Sequence, residues 1–255
     1  MYRKYLPWHI SKEHLYKKDI DRFSKDIDTI SLLNWNVHKK NHTYRWVSDF
    51  FEILNRYEPD IITFQEYKKV NYRSIIDHDS RYNYIFLPNI SLFKRKTGLI
   101  TASKFKIIDS KFKLSKGVEP VVKTPKSILL ARYKISDQKV ISVVNVHMIN
   151  FVKISLFKEQ LEQLNSLLKD IDTPIILSGD FNTWSKKRLN LLNRLCEGLG
   201  LERVDFKRSF INLDHIYFRG LKLKEYQLLG YKSSDHKGMF VSFDIFNDLE
   251  NIKLF

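Results

Sequence analysis

Short apolar runs broken by polar residues recur along this chain, and they predict strands more often than helices. Ile30-Ser31-Leu32-Leu33 opens the first expected core strand and leads into Asn34-Trp35-Asn36-Val37. Trp46, Phe50, Leu54 and Tyr57 follow helical spacing, and Pro59 ends that helix. Ile61-Ile62-Thr63-Phe64 predicts the next strand, stopping at Gln65-Glu66. Short strands are expected at Tyr84–Leu87 and Leu99–Ala102. An antiparallel pair is expected at Ile128–Ile135 and Val140–Val146, with a turn near Ser136-Asp137-Gln138. Phe157, Leu161, Leu164 and Leu168 form a second helical stripe, and Pro174 precedes the run Ile175-Ile176-Leu177. Leu189, Leu192, Cys196 and Leu199 form a third stripe, with Gly200 as its C-terminal stop and Cys196 as a core residue. Strands at Leu213–Phe218, Leu221–Leu228 and Met239–Ile245 close the chain. This order predicts an α/β (α+β) fold of two sheets packed face to face, with helices on the outer faces. Residues 1–29 read as a polar, partly helical N-terminal extension ahead of one domain over 30–255.

Composition narrows the class. The 255 residues are 43% hydrophobic and 14% aromatic, which argues for a packed core and against disorder. Cys196 is the one cysteine, so no intrachain disulfide exists, and a reducing, cytoplasmic setting is expected. Residues 1–29 are charged throughout and lack the apolar stretch of a secretory signal. No run approaches the roughly 18 apolar residues of a membrane span. The net charge of +15, from 44 Lys and Arg against 29 Asp and Glu, creates a field that favours polyanions: nucleic acid, anionic lipid or phosphorylated small molecules. Basic residues are densest from Lys94 to Lys116, where Phe93, Leu99, Ile100, Ile107, Phe112 and Leu114 interleave with them, so this stretch reads as a basic face.

The candidate chemistry sits at strand ends. Asn34-Trp35-Asn36, Gln65-Glu66, Asn145-Val146-His147, Asp180-Phe181-Asn182 and Ser234-Asp235-His236 each adjoin an apolar run, and Asp214 lies within Leu213-Asp214-His215-Ile216. If these strands share one sheet end, Glu66, Asp180, Asp214 and Asp235 converge as anions. His147 and His236 join them as proton carriers, and Asn36 and Asn182 as orienting groups. Such a set suits a hard divalent cation acting on a phosphate ester, with histidine able to carry a proton near neutral pH. The sequence contains no Cys cluster, no His-Glu-x-x-His, no P-loop and no hydrolase elbow, so structural zinc, nucleotide binding through a P-loop and serine hydrolysis are not expected.

These six fragments, in this order from about residue 30 to 246, resemble the endonuclease/exonuclease/phosphatase (DNase I-like) superfamily. The stretches around Pro125-Lys126-Ser127, Val144–Phe151 and Gly179–Arg188 are most similar to its bacterial YafD-like branch. The resemblance implies a four-layer sandwich of two mixed β-sheets flanked by helices, and divalent-metal-dependent phosphoesterase chemistry with Mg²⁺ or Mn²⁺. It also implies roles. Glu66 matches the principal metal ligand, assisted by Asn36, and Asp235 the acid beside the metal and water. His236 matches the catalytic histidine, and Asp214 the carboxylate that orients it. Asp180 matches the residue holding the nucleophilic water, Asn182 a side chain positioning water or phosphate, and His147 a second histidine on the phosphoryl oxygens. Asp180 and His236 both remain candidates for the general base.

Several positions carry other expectations. Lys126 is expected near the substrate phosphate, Glu119 beside His147, and Asn145 in a structural role. His38, where AP endonucleases carry an acid, is expected as an exposed loop residue, and His215 should face away from Asp214. The expected function is a monomeric phosphodiesterase acting on nucleic acid. The alternatives are a phospholipid (sphingomyelinase-like) phosphodiesterase, for which Leu87–Phe93 would be an interfacial loop, a small-molecule phosphodiesterase or phosphatase, and a non-enzymatic polyanion-binding module.

Overall fold

The computed structural model describes residues 15–20, 27–70, 76, 79–92, 95–120, 123–207 and 213–245. In chain order the strands and helices are β1 (Tyr16–Lys18), β2 (Thr29–Asn36), α1 (Tyr44–Tyr57), β3 (Ile61–Val70), β4 (Asn83–Leu92), β5 (Arg95–Ser103), β6 (Lys106–Leu114), β7 (Ser127–Lys134), β8 (Val140–His147), α2 (Ile154–Leu168), β9 (Ile175–Asp180), α3 (Lys186–Gly198), β10 (Glu202–Arg203), β11 (Asp214–Arg219), β12 (Lys222–Leu228) and β13 (Met239–Asp244). They form a seven-stranded sheet, β1-β4-β5-β3-β2-β13-β12, and a six-stranded sheet, β10-β11-β9-β8-β7-β6.

Alternation along the central strands builds the layers. Ile30 and Leu32 of β2 face the other sheet, where they join Val143 and Ile176 in one apolar core. Leu33 and Trp35 point the opposite way, onto Trp46, Phe50, Ile53 and Leu54 of α1. Phe157, Leu161 and Leu164 of α2 and Leu192 and Cys196 of α3 cover the outer face of the six-stranded sheet. The result is the four-layer sandwich of two mixed sheets between helices. Both central pairs, β2–β3 and β8–β9, are parallel, because α1 and α2 serve as their crossovers. Buried on both faces, these strands read as nearly continuous apolar runs.

Local chemistry fixes the ends. The Thr43 side chain accepts the Trp46 N–H and caps α1, and Glu58 closes it in a left-handed conformation before Pro59. Gly179 has φ 149°, and a Cβ there would lie 2.0 Å from the Val146 carbonyl oxygen. Glycine is therefore required for β9 to pass this close to β8.

Four expectations change. The strand expected to stop at Gln65-Glu66 continues to Val70, with a bulge between Phe64 and Tyr67. The Lys-rich stretch contains an edge strand, β6, paired with β7. Leu87–Leu92 is strand rather than an interfacial loop, and Phe93 lies outside the described residues. Within the 1–29 segment, Tyr16–Lys18 pairs with β4 as the other sheet's edge. No helix among the described residues is long and apolar enough to cross a membrane.

Candidate active site

The C-terminal ends of the two parallel pairs lie at one rim of the sandwich. Asn36 is opposite Gln65 in one sheet, and His147 is opposite Asp180 in the other. Strand β11 starts beside this point, with Asp214 opposite Asp180. A buried polar bridge holds the sheets in this relation. The Gln65 Nε2 donates to Asn34 Oδ1 at 2.9 Å and to Asn145 Oδ1 at 2.8 Å. The Asn145 Nδ2 donates to the Ile100 carbonyl at 2.9 Å and the Phe64 carbonyl at 3.2 Å. Asn145 is fully buried, so these bonds fix β8 against β3 and β5.

Asp180 is the hub. Its Oδ2 accepts from Asn36 Nδ2 at 2.9 Å and lies 3.5 Å from His147 Nε2 and 3.9 Å from His236 Nε2. Its Oδ1 accepts the Asn182 N–H at 3.0 Å. The Nδ1 of His236 meets Asp214 Oδ2 at 2.8 Å. The segment carrying His236 is tied down locally: Ser234 Oγ donates to the Asn36 carbonyl at 2.7 Å, and Trp35 Nε1 donates to the His236 carbonyl at 2.9 Å. Asp180, Asp214 and His236 offer ligand atoms within 4.8 Å of one another.

Glu66 and Asp235 are held on other partners. The Glu66 Oε2 accepts from Lys39 Nζ at 2.6 Å, and its Oε1 lies 3.9 Å from Lys126 Nζ. Lys126 also pairs with Glu119 Oε2 at 3.4 Å. Asp235, with its side chain 57% exposed, meets His38 Nδ1 at 2.6 Å. Four residues here hold positive φ without being glycine: His38, Lys39, Glu66 and Asn182. Such backbone is costly and persists only where its surroundings fix it. At Glu66 the bulge provides this, turning the carboxylate out of the ladder toward the rim.

The environment sets the charges. Burial pushes the Asp180 carboxyl up and Asp214 pushes it further, against the opposing pull of His236. Burial alone would lower His236, but its hydrogen bond to Asp214 and the surrounding carboxylates carry it from 6.5 to about 9. Burial and Lys126 hold His147 well below its ordinary range, so it is neutral at neutral pH. Burial raises Glu66, yet His147, Lys126 and Lys39 bring it down to about 2. Because His147 is neutral there, the two ammonium groups carry that attraction. For Asp235, burial acts upward and is outweighed by His236 and His38.

The structure thus brings together Asn36, His147, Asp180, Asn182, Asp214 and His236 through direct contacts. Glu66 and Lys126 share one wall of the same rim, and Asp235 joins it through His38. Glu119 does not orient His147; it accepts the Asn150 N–H at 3.1 Å and holds Lys126. The Asn182 side-chain amide donates to the Met148 carbonyl at 2.8 Å. His38 is exposed, and His215 turns away to Thr183 Oγ1 at 2.7 Å. Sequence reasoning missed Lys39, whose loop position after Asn36 carries no periodic signal.

A pattern for the Endonuclease/Exonuclease/phosphatase family matches residues 33–236 of this chain, spanning all of these positions. The chain belongs to that family. A UPF0294 protein of Vibrio cholerae serotype O1 is 30% identical over 231 residues, covering 87% of this chain and 80% of its own. Among solved structures, ANGEL2, a 2',3'-cyclic phosphatase, shares the fold with a TM-score of 0.66 at 16% identity, covering 92% of this chain and 99% of its own. An AP endonuclease from Archaeoglobus fulgidus does so with a TM-score of 0.62 at 17% identity, covering 85% and 100%. For a member of the Endonuclease/Exonuclease/phosphatase family, the donor set at this rim is apt. Glu66, Asp235 and the Asn36 amide oxygen are hard oxygen donors of the kind Mg²⁺ and Mn²⁺ take. Lys39 already places a positive charge on Glu66.

Proposed function

We propose that this protein is a divalent-metal-dependent phosphoesterase that hydrolyses phosphodiester bonds, with nucleic acid as its substrate class. The observation that carries the reading is the buried Asp180 carboxylate, set between two histidines and oriented by Asn36. Glu66, Asn36 and Asp235 would hold Mg²⁺ or Mn²⁺, which when bound supplies neutralisation of phosphoryl charge. Phosphoryl transfer is mainly positioning and electrostatics, so that neutralisation and the local cations dominate the rate.

The residues divide the proton work by charge. His236 is protonated at neutral pH and is therefore an electrostatic partner for the phosphoryl oxygens rather than a base, with Asp214 fixing its ring through Nδ1. Asp180, raised by burial, is the group suited to orient a water and take its proton as the new P–O bond forms, while the P–O bond to the leaving oxygen breaks and that oxygen takes a proton from solvent. Neutral His147 hydrogen-bonds the phosphate, and Lys126 adds positive charge on the same side. Asn182 keeps the Asp180 carboxylate aligned through its backbone N–H. The basic composition supports a polyanionic substrate.

The exposed aromatic rings of Phe151 and Trp184, 74% and 43% accessible, favour a second reading, a lipid phosphodiester presented at a membrane surface. A screen with Mg²⁺ and Mn²⁺ across plasmid DNA, single-stranded DNA, RNA, sphingomyelin liposomes and small phosphate esters separates the two. Metal-dependent cleavage of a nucleic acid is expected. Turnover of lipid alone would replace the substrate assignment, and turnover of nothing by folded protein would overturn the reading.

A further inference from the structure

A cleft of about 390 Å³ opens beside the candidate site, lined by residues of both sheets. That volume falls within the range of roughly 300–1,000 Å³ typical of small-ligand pockets. One end is the Glu66, Lys126 and His147 wall already described. The other end is lined by Lys68 and Arg95, with Ile90 and Leu99 supplying apolar wall between.

The charges in this cleft do not balance. Lys39 and Lys126 are matched by Glu66 and Glu119. Among the described residues, neither Lys68 nor Arg95 has a carboxylate partner; the one polar contact of the Lys68 ammonium is His42 Nε2 at 3.4 Å. The Arg95 guanidinium lies close enough for its charge to act on the Lys68 ammonium. Two cations facing each other at a cleft end repel one another, and an anion between them relieves this.

The placement is fixed by the fold. Lys68 lies opposite Thr97 on β5, with Arg95 two residues further along that strand, so both long side chains leave the same sheet face. Asn41, itself buried, clamps the Lys68 backbone by accepting its N–H and donating to its carbonyl, both at 2.8 Å. Lys68 follows Glu66 by two residues, so their Cα atoms are at most about 7 Å apart, and closer where the Glu66 bulge shortens the chain. A spacing of that order is on the scale of one linkage in a phosphodiester chain.

We infer that Lys68 and Arg95 form a subsite for a second phosphate of the substrate, one linkage from the phosphate attacked at the Glu66 end. This deepens the phosphoesterase reading above and rests on it. The phosphate could be a terminal monoester or the next backbone diester, and the test separates these sources.

Kinetics with three short oligonucleotides test it: one with a terminal phosphate, one with a terminal hydroxyl, and one a nucleotide longer with a terminal hydroxyl. The wild type should prefer a substrate carrying the second phosphate, and Lys68→Gln with Arg95→Gln should cut that preference about tenfold or more. Preference for the first oligonucleotide identifies a terminal monoester, and equal preference for the first and third a backbone diester. Inorganic pyrophosphate titrated calorimetrically into metal-free protein gives a readout independent of turnover. The wild type should bind it at least tenfold more tightly than the double variant, while Lys113→Gln, an exposed charge change on β6, should bind as wild type does. Equal pyrophosphate affinity in wild type and double variant, or an undiminished substrate preference, would overturn the subsite. Loss of affinity in Lys113→Gln as well would reduce the effect to net charge and overturn it too. If wild-type protein turned over no phosphate ester, the parent reading would fail while the pyrophosphate titration still decided the subsite.

Discussion

The Nδ1 of His236 sits 2.8 Å from Asp214 Oδ2, while the other ring nitrogen lies 3.9 Å from Asp180. One imidazole therefore links two buried carboxylates on adjacent antiparallel strands. The link determines which group is charged at neutral pH, and so which group is available to take a proton.

A titration of this ring follows. The His236 value is raised from 6.5 to about 9, so the folded protein holds this proton more tightly than the unfolded chain does. The stabilisation from the pair is complete below pH 6.5 and is lost as the pH rises through about 9. In metal-free protein, NMR of the imidazole should report a proton retained well above neutrality. Asp214→Asn should shift the titration down and slow turnover by roughly 10²–10⁴-fold, the range set by orienting or removing an acid–base group. An unshifted titration in that variant would mean Asp214 does not govern the ring.

Gly179→Ala should destabilise the protein severely. The added Cβ would meet the Val146 carbonyl at 2.0 Å, and φ is 149°. Both partners are backbone in the middle of the six-stranded sheet, so neither can swing away. A loss of about 3 kcal/mol or more is expected in urea denaturation, from overpacking and strain together. A loss under about 1 kcal/mol would show that β8 and β9 separate more easily than their pairing implies.

Asn145→Leu should keep the volume of this buried side chain while leaving the Ile100 and Phe64 carbonyls and the Gln65 amide short of partners. Unsatisfied buried groups cost about 1–3 kcal/mol each, partly relieved by relaxation. We expect about 2–4 kcal/mol of destabilisation by denaturant, with a fall in activity, because the bridge holds the rim of one sheet against the other. Retention of wild-type stability would make the bridge dispensable.

Much of the fold was legible because its central strands are buried on both faces and read as apolar runs that stop at polar residues. Ile30–Leu33, Ile61–Phe64 and Ile175–Leu177 gave their positions directly; Asn36 and Asp180, which follow two of these runs, meet at the rim, while Glu66, which follows the third, is held on Lys39 and Lys126. The extension of β3 to Val70 was hidden because the Glu66 bulge breaks alternation where the apolar run stops. Strand β6 was read as a basic face because an edge strand, open to water on its free side, carries the lysines that protect such edges. Strands of three and two residues, β1 and β10, are too short to carry a period. At the site, residue types marked the acids and histidines, but not their partners. That His38 would take Asp235, or Lys39 take Glu66, depends on how the loop after β2 turns through two residues of positive φ.

The assignment of Glu66 to a divalent cation is tested most directly by Mg²⁺-dependent hydrolysis of a phosphodiester, measured for wild type and Glu66→Gln side by side, with circular dichroism to check folding. The substitution removes the charge and keeps the shape of a side chain whose wall Lys39 and Lys126 already make positive. The expected result is a folded variant whose metal-dependent rate falls at least about 10³-fold. A folded Glu66→Gln protein that hydrolyses the substrate at a rate near that of the wild type would contradict the account.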